Sequence, residues 1–69
     1  MDLTSYGCPL HYIKARNTLL RFETGDIVDF LFIAGEAAEQ ASSSLGKDGH
    51  EILAVEPAES AVRVRVRKA

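Results

Sequence analysis

The chain has 69 residues, 46% of them apolar and 26% charged, with a formal charge of −2. That length makes one domain, residues 1–69, with little room for a deep catalytic cavity. The slightly acidic balance gives no general electrostatic hold on nucleic acid or an anionic membrane, so direct nucleic acid binding is not expected.

In chain order, Asp2 to Ser5 reads as a short strand, and Gly7 breaks the chain. A helix is expected from Pro9 to about Phe22. On a wheel, Leu10, Tyr12, Ile13, Ala15, Leu19, Leu20 and Phe22 fall within one wide apolar arc. His11, Lys14, Thr18 and Arg21 occupy the rest. Arg16 lies inside the arc, where it either snorkels at the helix edge or meets a partner. The stretch "ETGD" (Glu23 to Asp26) is a turn. "IVDFLFI" (Ile27 to Ile33) suits a central, mostly covered strand with Asp29 facing out. Ala37, Ala38, Ala41 and Leu45 mark a second helix from about Glu36 to Leu45. Glu51 to Pro57 reads as a strand and "AES" as a turn. "AVRVRVRK" then alternates strictly, with Val62, Val64 and Val66 on one face and Arg63, Arg65 and Arg67 on the other. Phe22, Phe30 and Phe32 are assigned to the core. The order βαβαββ predicts an α/β (α+β) two-layer sandwich, two helices packed on one face of a four-stranded mixed sheet, with the arginine face wet.

Cys8 is the only cysteine, so the chain forms no internal disulfide, and a reducing, cytoplasmic setting is expected. "MDLTSYG" lacks the basic and apolar regions of a signal peptide, and no apolar run reaches the ~18 residues of a membrane span. Proline fits the first position of a helix, so Pro9 sets Cys8 near the N-cap. There the helix dipole and unpaired N–H groups favour a thiolate, with Lys14 and Arg16 one to two turns along and His11 three residues on. Two roles fit Cys8: a helix cap packed in the interior, or a reactive thiol. A solitary reactive thiol on a small domain suits accepting a group from one protein and giving it to another, and a sulfane sulfur is the natural cargo. His11 is either a solvated first-turn residue or a proton donor beside the sulfur. One cysteine and two scattered histidines give no metal-ligand spacing, so no metal site is expected. His50 reads as a loop histidine with a backbone partner. The Arg63, Arg65, Arg67 stripe reads as a solvated face or as a docking surface for an acidic partner.

"GCPLHYIKARNTL" resembles the Cys-Pro-x-Pro signature and following helix of the TusA/SirA family of small sulfur-carrier proteins. Cys8 and Pro9 match its Cys and first Pro, and Lys14, Ala15 and Arg16 agree in type. "TGD" (24–26), "GHEIL" (49–53) and Arg67-Lys68 match further points, with spacing that needs no large gaps. Three points depart: His11 replaces the second Pro, Ser5 stands where a Gly is usual, and "AGEA" (34–37) stands where an acidic turn tends to follow the second strand. The resemblance implies a sulfur carrier that takes sulfur as a persulfide on Cys8, with Pro9 shaping the loop and no cofactor beyond that covalent sulfur. It implies a donor such as a cysteine desulfurase or a rhodanese-like protein, and an acceptor sulfurtransferase. Lys14, Arg16, Arg63, Arg65 and Arg67 are the candidate partner-binding residues, and a monomer is expected when free. The rival is a non-catalytic binding module: the same small fold resembles the carboxy-terminal domain of translation initiation factor three, which contacts RNA, and the arginine stripe would then be its surface.

Overall fold

A computed structural model describes residues 1–7 and 10–69. Its elements are α1 (Leu10–Leu19), β1 (Ile27–Ile33), α2 (Glu36–Lys47), β2 (Glu51–Ala58) and β3 (Ala61–Arg67). The strands form one antiparallel sheet in the order β1-β3-β2, so β3 is central. Its alternation decides which face is buried. Val64 and Val66 point into the helical layer and are fully buried, whereas Arg63, Arg65 and Arg67 face solvent.

The expected fourth strand is not there. Asp2 to Ser5 contributes a single parallel bridge, Asp2 to Leu31. Leu3 N–H donates to the Leu31 carbonyl and Leu31 N–H to that of Met1, each at 2.8 Å. The ladder stops because the Asp2 carboxylate takes a hydrogen bond from the Thr4 N–H at 2.9 Å and another from the Thr4 hydroxyl at 2.7 Å. That local pairing turns the chain and removes the donors a longer strand would use. Among the described residues the order is therefore αβαββ on a three-stranded sheet.

β1 also departs from expectation. Phe30 and Phe32 are fully buried and stack with centroids 6.0 Å apart. Ile27 and Ile33 share the open face with Asp29, opposite Arg67 and Ala61, and stay exposed. The strand is covered on one face and lies beside β3 rather than at the centre.

α2 buries Ala38, Ala41 and Leu45, the i, i+3, i+7 spacing of a single apolar stripe. Two glycines set its ends. Gly35 precedes it at φ 106° and ψ −147°, a backbone region open to essentially no other residue. Gly49 follows it at φ 100°. There Gly49 N–H donates to the Gly46 carbonyl at 3.0 Å and His50 N–H to that of Leu45 at 3.2 Å, the paired closure that a left-handed glycine permits. This accounts for the Gly-His step before β2.

α1 is shorter than expected and turned differently. It ends at Leu19, where Arg21 and Phe22 donate back three residues to Thr18 and Leu19, each at 3.0 Å, tightening the last turn. Phe22 is thus carried to the surface rather than into the core, and Leu10 and Leu20 are exposed as well. The helix buries His11, Ala15 and Leu19. The core that results joins Leu3, Ala15, Leu19, Phe30, Phe32, Ala38, Ala41, Leu45, Val64 and Val66. Each large member contributes about 1.5–3 kcal/mol of burial.

β2 forms the free edge of the sheet. Its pairing with β3 slips between Ile52 and Ala54, and Pro57 lies near its end.

Candidate functional site

Cys8 and Pro9 lie outside the described residues. α1 begins two positions beyond Cys8 in the sequence and carries no acidic residue in its first turn. Among the described residues, no carboxylate of that turn offsets the positive end of the helix dipole.

His11 lies in that first turn and is not the solvated residue expected from the wheel. It is 1% exposed. Its Nε2 lies 2.8 Å from the Ala37 carbonyl in the first turn of α2, and its ring meets Phe32 edge-on with centroids 5.8 Å apart. Nδ1 is buried and has no hydrogen-bond partner among the described residues. Tyr12, the next residue, donates its hydroxyl proton to Asp48 at the other end of α2. The Asp48 carboxylate holds the neutral phenol in place and pushes the Tyr12 pKa up. The two side chains thus tie the start of α1 to both ends of α2. Between them opens a groove of about 510 Å³, lined also by Glu39, Gln40, Ser43, Ser44 and Lys47.

The remaining charges of α1 are cationic and rest on aromatic rings. Lys14 Nζ stands 4.7 Å from the centroid of Tyr6, and the Arg16 guanidinium 5.7 Å from that of Tyr12. Neither makes an ion pair among the described residues.

The arginines of β3 lie on the opposite face of the sheet, so the five candidate partner-binding residues form two groups rather than one surface. Arg65 bonds Asp29 through Nε at 2.9 Å, and Arg67 bonds Glu51 at 2.8 Å. Asp29 and Glu51 are their cross-strand neighbours on β1 and β2. The Arg65 guanidinium holds the Asp29 carboxyl below the usual carboxylate range. Arg63 forms no ion pair among the described residues.

Sequence reasoning missed Tyr6, Tyr12, Ala37 and Asp48 as supports of the α1 start. No spacing rule signals a contact between residues 36 positions apart, although both tyrosines lie within six residues of Cys8. His50 accepts the Ala69 N–H at Nδ1, 3.1 Å away, the backbone partner expected. Among the described residues no group of three His, Cys, Asp or Glu side chains is placed to hold a metal, and no helix is long and apolar enough to cross a membrane.

A small α+β domain with a lone thiol ahead of a helix fits a carrier of a reactive group. The family model of the sulfurtransferase TusA matches residues 1–68, and the chain belongs to that family. TusA proteins are sulfur-carrier sulfurtransferases that act in relays with partner proteins. No curated protein and no solved structure matches the chain.

Proposed function

We propose that this protein carries sulfane sulfur as a persulfide on Cys8, between a donor protein and an acceptor sulfurtransferase. The observation that carries this reading is the family match over residues 1–68 in a chain whose only thiol is Cys8. The Cys8 thiolate attacks the outer sulfur of a donor persulfide. A new S–S bond forms on Cys8, the donor's S–S bond breaks, and the donor leaves as its thiolate. An acceptor thiolate then attacks the outer sulfur on Cys8 and releases the carrier thiolate. Neither step needs an outside oxidant or reductant, so the chain requires no cofactor beyond the sulfur itself.

The acid-free first turn of α1 and the cations Lys14 and Arg16 favour the anion at each stage. The donor is a cysteine desulfurase or a rhodanese-like protein, the setting is the reducing cytoplasm, and the free carrier is a monomer. The rival surface, Arg63 with Arg65 and Arg67, is a weaker basis for RNA binding because two of its three charges are already paired to Asp29 and Glu51.

Intact mass after incubation with a desulfurase and cysteine, or with a rhodanese and thiosulfate, tests the proposal. Wild type gains one sulfur that a reductant removes, and Cys8→Ser gains none. An unchanged wild-type mass with both donors, or an adduct that persists in Cys8→Ser, defeats it.

A further inference from the structure

From Leu10 to Phe22 the chain holds no Asp or Glu, although it carries ten of them against eight Lys and Arg. The cations of this segment divide. Arg16 rests on the Tyr12 ring, whereas Lys14 and Arg21 line a second groove together with Asn17, Thr18 and Met1. That groove measures about 310 Å³. Lys14, Asn17 and Thr18 share one face of α1, at i, i+3 and i+4. The tightened turn after the helix brings Arg21 to the same place. At 1.5 Å per residue, Lys14 and Arg21 are anchored about 10 Å apart along the axis, a gap that two long side chains can close from both ends.

The groove is chemically one-sided. No carboxylate lines it, and neither Lys14 nor Arg21 enters an ion pair among the described residues. Lys14 is steadied on the Tyr6 ring, its Nζ 4.7 Å from the centroid. A ring occupies one side of an ammonium and leaves further N–H donors for a ligand. The Thr18 hydroxyl donates to the Met1 thioether, 3.2 Å away. Sulfur is a weak acceptor, so an oxyanion in the groove would take that proton in a stronger, charge-assisted bond. A concave surface of one sign also concentrates ions of the other.

We propose that this groove binds a doubly charged tetrahedral oxyanion, inorganic phosphate or a phosphate monoester, between Lys14 and Arg21, with Thr18 and Asn17 bonding its oxygens. The site goes beyond the carrier reading and makes no use of the thiol. Its test reads binding and not sulfur transfer, so either reading can fail alone.

The test is an NMR titration of the isotope-labelled protein with inorganic phosphate, at low ionic strength held constant with chloride. Amide shifts confined to residues 14–21 and saturating at millimolar phosphate are expected. Lys14→Ala and Arg21→Ala should each weaken binding about fivefold, the scale of one exposed ion pair. Thr18→Val keeps the shape and loses the hydroxyl, and should weaken it about threefold. Lys47→Ala, which removes the same charge from α2, should bind as wild type does. A parallel titration with adenosine monophosphate separates the sources: tighter binding than phosphate assigns the site to esters, weaker binding to the free ion. Shifts that rise without saturating and spread over every cationic residue overturn the proposal. So do a loss in Lys47→Ala equal to that in Lys14→Ala, and chloride competing as well as phosphate.

Discussion

The two helices hold to the same sheet by different means. Each buries three residues. In α2 they are Ala38, Ala41 and Leu45, and in α1 they are His11, Ala15 and Leu19. The α2 stripe is wholly apolar, and such contacts are non-directional and tolerant of exchange. α1 gives one of its three places to an imidazole and adds the Tyr12 hydroxyl, so its first turn is held by hydrogen bonds to Ala37 and Asp48. Apolar packing sets how firmly an element is held, whereas hydrogen bonds set where it is held. α1 uses the second means at its first turn.

The contrast is broken most directly in α2. Leu45→Ala should cost about 2–5 kcal/mol, a loss comparable to the ~3–5 kcal/mol that a core of this size supplies. Chemical denaturation should therefore find the variant largely unfolded, and a loss below ~1 kcal/mol would show that α2 is not the firmer attachment. Next comes His11→Leu, which exchanges for hydrocarbon a buried nitrogen without a partner among the described residues. Its unfolding free energy should stay within about 1 kcal/mol of wild type; a loss as large as that of Leu45→Ala would make His11 an ordinary core member.

Tyr12→Phe gives a smaller effect, present at neutral pH and fading at alkaline pH. The Tyr12 pKa is raised in the fold by the Asp48 hydrogen bond. Its contribution is therefore complete below the ordinary phenol value of about 10 and is lost as pH rises through the raised one. The stability curve of Tyr12→Phe should be flatter there, and superimposable alkaline limbs would place the bond outside the balance. Smallest is Asp29→Asn. The Asp29 carboxyl is lowered by Arg65, so its contribution is present at neutral pH and lost as pH falls below the usual carboxylate range. Both partners are substantially exposed and screened by solvent. At low salt the variant should be marginally less stable at neutral pH with a slightly shallower acid limb, differences that added salt should erase.

These attachments were unequally legible in the sequence. β3 was plain, because a period of two with valine against arginine permits one orientation, and the structure has it. α2 was nearly as clear, its alanines and Leu45 lying on one stripe. α1 was not. Its apolar residues spread over so wide an arc that several orientations bury comparable area, and the choice fell to contacts with α2 that no local pattern encodes. Hence His11 went inside while Leu10 and Leu20 stayed out. The first strand was over-read because Thr4 turns the chain onto Asp2, a competition that four residues of propensity do not reveal. The pairing of Arg65 with Asp29 and of Arg67 with Glu51 follows from register, which a stripe of arginines does not state. Of the site itself, Cys8 and Pro9 were legible as a motif, and the contacts of His11 with Ala37 and of Tyr12 with Asp48 were not.

The open margin of the sheet bears on how such a protein behaves when crowded. β2 offers an incoming chain a backbone row interrupted by the slip at Ile52 to Ala54 and by Pro57, which has no N–H to give. On the other side, Met1 to Leu3 already occupy β1. Neither border presents the long, regular template on which strands from separate molecules zip together into fibrils, so a protein of this shape is poorly suited to seeding its own aggregation.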